Sequence, residues 1–205
     1  MPVVNDERIK ISAIFLAAGL SKRMGPENKL LLDFKSESIV KTTLRQLERS
    51  KVDEIIIVLG HQAPLVAKEL KDFNLKMVIN DTYQDGMNTS IKVGIANANT
   101  ASNAYLICLG DQPFISTHVY DLIISNYKQH YSLDHDIIQV PYVEGQKGNP
   151  VCISSFYKSE ILINNEKEGA RAVVRNNKHK VLKFSLSHTS ILLDVDNPLD
   201  LHKIV

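Results

Sequence analysis

SAIFLAAGLSKRMGPENK, residues 12–29, joins an unbroken apolar run to a turn of small residues and then to Arg23, Gly25 and Lys29. SAIFLA (12–17), apolar at every position after Ser12, predicts a strand covered on both faces, as in a parallel sheet. The turn that follows then lies at the strand's carboxyl end, where open α/β sheets collect ligands. Ala17, Ala18 and Gly19 let a backbone approach a ligand closely, and the N–H groups of such a turn favour an anion. Arg23 can grip phosphate oxygens through two parallel hydrogen bonds, and Lys29 adds a mobile point charge. The stretch contains neither G-x-x-x-x-G-K-[ST] nor G-x-G-x-x-G, so it is neither a P-loop nor a dinucleotide fingerprint. It reads either as an anion-binding loop or as a glycine-containing surface loop with solvated Arg and Lys.

Outward from this stretch, strand and helix signals alternate. EIIIVLG (54–60), KMVIN (76–80) and AYLICLG (104–110) are further continuous apolar runs. Val40, Leu44 and Leu47 share a helical face, as do Val119, Leu122, Ile123 and Tyr127 after Ser116 or Thr117, either of which can cap that helix. The alternation predicts an α/β fold: a Rossmann-like, mostly parallel sheet with helices on both faces. Farther on, DIIQVPYV (136–143) and NPVCIS (149–154) flank EGQKG, a hairpin or loop that forms a small β extension. Helices are expected near Phe156–Ile163 and from about Glu168, followed by a strand at VLKFSL (181–186) and a short strand at ILLDV (191–195). A closing helix is expected behind Asn197 as N-cap, with Pro198 at its first position.

Composition fits one globular unit. The 205 residues carry 44% apolar and 23% charged side chains and a net charge of +1. No repeat or linker divides them, so residues 1–205 are read as a single domain. No basic field points to nucleic acid, and no run is long enough to span a membrane. The N-terminus lacks the apolar segment of a signal peptide, which makes a cytoplasmic enzyme or binding protein the expectation. Cys108 and Cys152 sit in apolar stretches and read as buried free thiols.

Two acidic loops complete the pattern. AYLICLG runs directly into Asp111, where a carboxylate can hold a divalent metal against a triphosphate or simply form the turn before Pro113. If ILLDV continues as a strand, Asp194 and Asp196 point the same way. Asn197 does the capping, which leaves Asp196 without an evident structural role.

LAAGLSKRMG with Lys29, GMNTSIKVG (86–94), LGDQP (109–113), GQKGNPV (145–151), EGARAVVR (168–175) and LDVDNPLDL (193–201) occur in this order. Together they resemble the MobA-like nucleotidyltransferases, and most of all the molybdenum cofactor cytidylyltransferase (MocA-type) branch. That branch includes the PucB-type proteins of purine catabolism, which serve xanthine dehydrogenase. The resemblance runs from about Ile11 to Leu201. It implies a fold of the nucleotide-diphospho-sugar transferase type and transfer of a nucleoside monophosphate, CMP in preference, from CTP or GTP to molybdopterin with release of pyrophosphate. Alternatives are another acceptor, such as a sugar phosphate, or a non-catalytic carrier of molybdenum cofactor.

Residue by residue, the resemblance places the nucleotide on Leu16, Ala17, Ala18 and Gly19, with Gly86, Met87 and Ser90 near the nucleoside. Arg23 and Lys29 match the cations that neutralise the triphosphate, and Lys29 and Asp111 join Arg23 as the catalytic set. Asp111 and Asp196 match the Mg²⁺ ligands, with Asp194 a helper. Lys147, Gly148 and Asn149 match the acceptor side, where an ordinary hairpin turn is the alternative. GM-x-x-S can equally be a plain helix start capped by Asn88. Arg171 and Arg175, four apart on one face, meet the acceptor's phosphate or pterin or form a solvated surface, and the solvated surface is the preferred reading. His61 reads as structural or incidental. Three residues (Pro26, Glu27, Asn28) separate Gly25 from Lys29 where some relatives have two, and Lys35-Ser36 stand where the family shows a glycine turn. Ala18, where the guanylyl-transferring relatives have glycine, favours cytidine.

Overall fold

The computed structural model describes residues 9–21, 27–163 and 170–195. In chain order the elements are β1 (Ile11–Ala17), β2 (Asp33–Phe34), β3 (Glu37–Ser38), α1 (Ile39–Glu48), β4 (Glu54–Leu59), α2 (Ala63–Glu69), β5 (Lys76–Ile79) and α3 (Met87–Asn97). They continue with β6 (Ala104–Leu109), α4 (Thr117–Tyr131), β7 (Ile138–Val143), β8 (Gln146–Lys147), β9 (Val151–Ser154), α5 (Lys158–Ile163), α6 (Ala170–Asn176) and β10 (Val181–Ser185).

β1 is buried along its whole length because it is the central strand, with β4 and β6 parallel on either side. The strand order is β10-β7-β9-β6-β1-β4-β5, with β8 paired to β7. β9 runs antiparallel to both β6 and β7, so the sheet is mixed but mostly parallel. Side chains of β1 divide between its two faces as a strand's alternation requires. Ile11, Ala13, Phe15 and Ala17 pack with α1, α2 and α4, whereas Ile14 and Leu16 pack with α3, α5 and α6. Helices therefore cover both faces, as the continuous apolar runs predict. Gly94 lets α3 lie close against the sheet: a Cβ there would stand 2.2 Å from Ile14 Cγ2.

The four strand runs of the first half form within a residue or so of their predicted ends. Ser116 caps α4 by accepting from Val119 N–H, the first of the two predicted alternatives. In α4 it is Ile124 rather than Leu122 that is fully buried beside Val119, Ile123 and Tyr127. Cys108 and Cys152 are free and buried, and burial pushes both thiols up. The Lys35-Ser36 turn takes a backbone conformation that favours glycine. Both residues have positive φ (49° and 79°), the pair that joins β2 to β3 in a two-residue hairpin.

ILLDV does not form a strand. Thr189–Leu192 is a 3-10 turn and 193–195 is irregular. The segment crosses over strand ends instead of running beside a strand. Asn149 N–H donates to Ile191 O just ahead of β9, and Val195 N–H donates to Asp111 O just past β6. The premise that Asp194 and Asp196 share a strand face is lost with it. Arg23, Glu168, Asp196 and the helix expected behind Asn197 lie outside the described residues.

Candidate active site at the carboxyl edge of the sheet

The chain leaves β1, builds β4 and β5 on one side, then returns to β6 on the other. That reversal opens a crevice at the carboxyl ends of β1 and β6, the position where such sheets bind ligands. A cleft of about 650 Å³ lies there, within the range of small-molecule sites. Of the predicted residues, Leu16, Ala18, Gly19, Lys29, Gly86, Met87, Ser90, Asp111 and Asn149 line it. Ala17 does not; its methyl group faces the core. A Cβ at Gly19 would meet no atom of the described residues within 4 Å. Bare backbone therefore faces open cleft, space that a ligand can use.

Lys29 is held by its neighbours in sequence. Asn28, buried, caps the 3-10 turn Lys29–Leu31 by accepting from Leu30 N–H. Its amide also donates to His61 O, and Lys29 N–H donates to Ser21 Oγ. His61 N–H in turn donates to Ala18 O, so residues 18–21, 28–29 and 61 form one tied unit. The additional residue between Gly25 and Lys29 is thus consistent with a defined place for the lysine, and His61 acts through its backbone as a structural residue.

Lys29 Nζ lies 2.5 Å from Asp111 Oδ2, and both side chains are about six-sevenths buried (14% and 16% exposed). The strand ends bring them together: Gly110 N–H donates to Leu16 O, and a Cβ at Gly110 would stand 2.9 Å from that oxygen. The other carboxylate oxygen, Asp111 Oδ1, is buried without a hydrogen-bond partner among the described residues. A buried acceptor left in that state costs about 1–3 kcal/mol, which marks it as a candidate ligand atom. The Val195–Asp111 bond carries the preceding residue, Asp194, into the same cleft. Val195 anchors the crossing by packing with Phe34 and Ile39. Asp194, predicted only as a helper, is thus the second carboxylate of the described cleft. No cluster of three His, Cys, Asp or Glu that could hold a metal occurs among the described residues. A cation that takes one or two carboxylates plus phosphate oxygens and waters is the kind this donor set suits.

The opposite wall hangs on Asn80, which sequence reading missed. Its buried amide donates to Thr89 Oγ1 (2.8 Å) and Ser90 Oγ (2.9 Å), while its oxygen accepts from the Thr82 N–H and hydroxyl. Thr89 Oγ1 lies within hydrogen-bond reach of Gly86 O and Thr82 O. This network clamps the turn Tyr83–Asp85 against the start of α3, and so fixes Tyr83, Gln84, Gly86, Met87 and Ser90 along the cleft. Gly86, at φ 117°, makes the break before the helix; Asn88 does not cap it. Asn80→Leu should destabilise the fold by about 1–3 kcal/mol and raise KM for the nucleotide roughly 10-fold through misplacement. Denaturant unfolding alongside steady-state kinetics measures both, and an unchanged KM would show that the clamp does not position this wall.

The acceptor-side residues separate. Lys147 is exposed on β8, away from the cleft lining. Gly148 is pressed against Ile191, 2.6 Å from where its Cβ would be, and serves packing. Asn149 alone of the three lines the cleft. Arg171 and Arg175 are both exposed, as the preferred solvated-surface reading expects; Arg171 also lines the cleft, and Arg175 does not. The signal available in sequence was the four-residue spacing, which gives a face but not what that face looks onto.

A switch-point cleft with a bare small-residue turn and a lysine–carboxylate pair defines an α/β protein for a phosphorylated, nucleotide-sized ligand. Residues 13–181 match the MobA-like NTP transferase domain, and the chain belongs to that nucleotidyltransferase family. It is 27% identical over 198 residues to the nicotine blue oxidoreductase of Paenarthrobacter nicotinovorans, covering 95% of this chain and 96% of that one. It is 25% identical over 191 residues to the molybdenum cofactor cytidylyltransferase of Escherichia coli K12, covering 93% of each. Among solved structures, Rv0371c of Mycobacterium tuberculosis H37Rv shares the fold with a TM-score of 0.81 at 23% identity, over 96% of this chain and 98% of that one. No helix of the described residues is long and apolar enough to cross a membrane.

Proposed function

We propose that this protein transfers CMP from CTP to the terminal phosphate of molybdopterin or molybdenum cofactor and releases pyrophosphate, in the maturation of an enzyme of the xanthine dehydrogenase type. The observation that carries this reading is the Lys29–Asp111 pair in the switch-point cleft, with its buried oxygen that has no hydrogen-bond partner among the described residues. The cytidylyltransferase relative supports the cofactor as acceptor, and Ala18 on the cleft wall supports cytidine over guanine.

The acceptor's phosphate attacks the α-phosphorus in line. One P–O bond forms there, the bond to the bridging oxygen breaks, and pyrophosphate departs with the electron pair. A phosphate monoester has a second pKa of about 6, so the nucleophile is ionised at neutral pH and no general base is required. The barrier is repulsion between polyanions, so positioning and charge neutralisation carry the catalysis. Leu16, Ala18 and Gly19 lie along the nucleotide, and Gly86, Met87 and Ser90 along the nucleoside. Lys29, with Arg23, neutralises charge that grows on pyrophosphate. Asp111, with Asp194 and Asp196, would hold Mg²⁺, and that ion would supply electrostatic stabilisation of the reacting phosphates.

Incubation with molybdopterin, Mg²⁺ and either CTP or GTP, followed by identification of the dinucleotide, tests the proposal. Pyrophosphate release with the cytidine dinucleotide as product is expected. A guanine dinucleotide corrects the base, and turnover only with a sugar phosphate corrects the acceptor. Binding of molybdenum cofactor with no pyrophosphate release from any nucleotide leaves a carrier. The oxidoreductase relative names a different chemistry for this architecture, and redox turnover of nicotine blue without pyrophosphate release would assign that chemistry here.

A further inference from the structure

We propose that Arg171 seats the incoming phosphate of the acceptor, a role that rests on the transferase reading above. Lys29, Asp111, Arg171 and Asp194 are the formally charged side chains lining the described cleft. Lys29 and Asp111 engage each other. Arg171 is exposed at the cleft wall, and no ion pair or hydrogen bond holds its guanidinium among the described residues. A guanidinium in that condition is a ready bidentate donor for a phosphate.

Its place in the fold says which phosphate. Leu30, beside Lys29, packs into the core on the α1, α2 and α4 face of the sheet. Ala170 and Val173, beside Arg171, pack into the core on the α3 and α5 face. The two cations therefore reach the cleft from opposite faces, with the ends of β1 and β6 between them. In-line displacement puts the attacking and leaving oxygens on opposite sides of the α-phosphorus. If Lys29 attends the departing pyrophosphate, the entering phosphate occupies the other side, which is where Arg171 stands. Asn149 lies on the same cleft, whereas Lys147, the sequence's candidate for this charge, does not. The entering oxygen is already ionised, so Arg171 holds it without moving a proton.

Arg171→Ala and Arg171→Lys test the assignment. With CTP and Mg²⁺, KM for molybdopterin should rise roughly 10- to 100-fold in Arg171→Ala, the range for loss of a charge-assisted contact. The Kd for CTP, titrated calorimetrically without acceptor, should stay within about twofold of the parent, because the contact lies outside the nucleotide subsite. Arg171→Lys should recover part of the loss, since the charge returns without the paired donors. Weakened CTP binding would put Arg171 on the triphosphate side and overturn the proposal, as would an unchanged KM for the acceptor. Glucose 1-phosphate serves as a second ester. If the parent turns over that ester and not molybdopterin, the acceptor named above is wrong, and the KM ratio for glucose 1-phosphate decides the case for Arg171. If neither ester is turned over, no acceptor phosphate occupies this seat and the proposal falls.

Discussion

Asp111→Ala should lose roughly 10²-fold or more in turnover, the scale for one preorganised electrostatic group, while the protein stays folded. Its main-chain oxygen, which receives Val195 N–H, survives the change, so the crossing over the strand ends should hold. Two opposed effects act on stability. Alanine removes a buried oxygen that lacks a hydrogen-bond partner among the described residues, and it also takes one anionic partner from Lys29. Each is worth about 1–3 kcal/mol, so their difference should be within about 2 kcal/mol. A carboxylate kept partly unsatisfied belongs to the exchange of stability for activity common at active sites. Pyrophosphate release and thermal unfolding on the same preparation separate the possibilities. Full turnover would remove Asp111 from the chemistry. Lost turnover with a stability loss of several kcal/mol would make it a structural residue.

The position of Asp111 was legible because two local signals coincide. An apolar run fixes the end of β6, and the carboxylate follows one residue after Gly110. The same logic located Lys29 and the Ala18–Gly19 turn, since β1 is another continuous apolar run with a clear end. Asp194 was harder to place. ILLDV has strand composition, but its backbone bonds go to Asn149 and Asp111, partners distant in sequence that no local period encodes. Asn80 was missed for a related reason. It closes a strand run and looks like any polar terminator until the fold brings Thr82, Thr89 and Ser90 around it. Arg171 lines the cleft and Lys147 does not, a difference hidden in sequence because exposure on a short hairpin and exposure toward a cleft look identical there. Only the packing of Ala170 and Val173 on the sheet brings Arg171 to the cleft.

Lys29→Met should lower kcat by roughly 10²-fold and weaken CTP binding by less than about 10-fold. The methionine keeps the largely buried stem and removes the ammonium. In the free protein that ammonium lies 2.5 Å from Asp111 Oδ2, so its charge is already engaged and the cleft floor is close to neutral. Transfer places new negative charge on the departing pyrophosphate, and only an interaction stronger at that moment than in the bound ground state raises kcat. The tie of Lys29 N–H to Ser21 Oγ, together with the Asn28 cap, holds the lysine backbone in place so that little reorganisation is needed. Lys29→Arg should restore only part of the rate. A planar fork on the same fixed turn cannot occupy the compact position the ammonium takes beside Asp111. Calorimetric Kd for CTP, steady-state kcat and single-turnover rates resolve the two effects. A rise in Kd with kcat unchanged would make Lys29 a ground-state anchor for the triphosphate, and stabilisation of the leaving group would then have to come from another cation of the site.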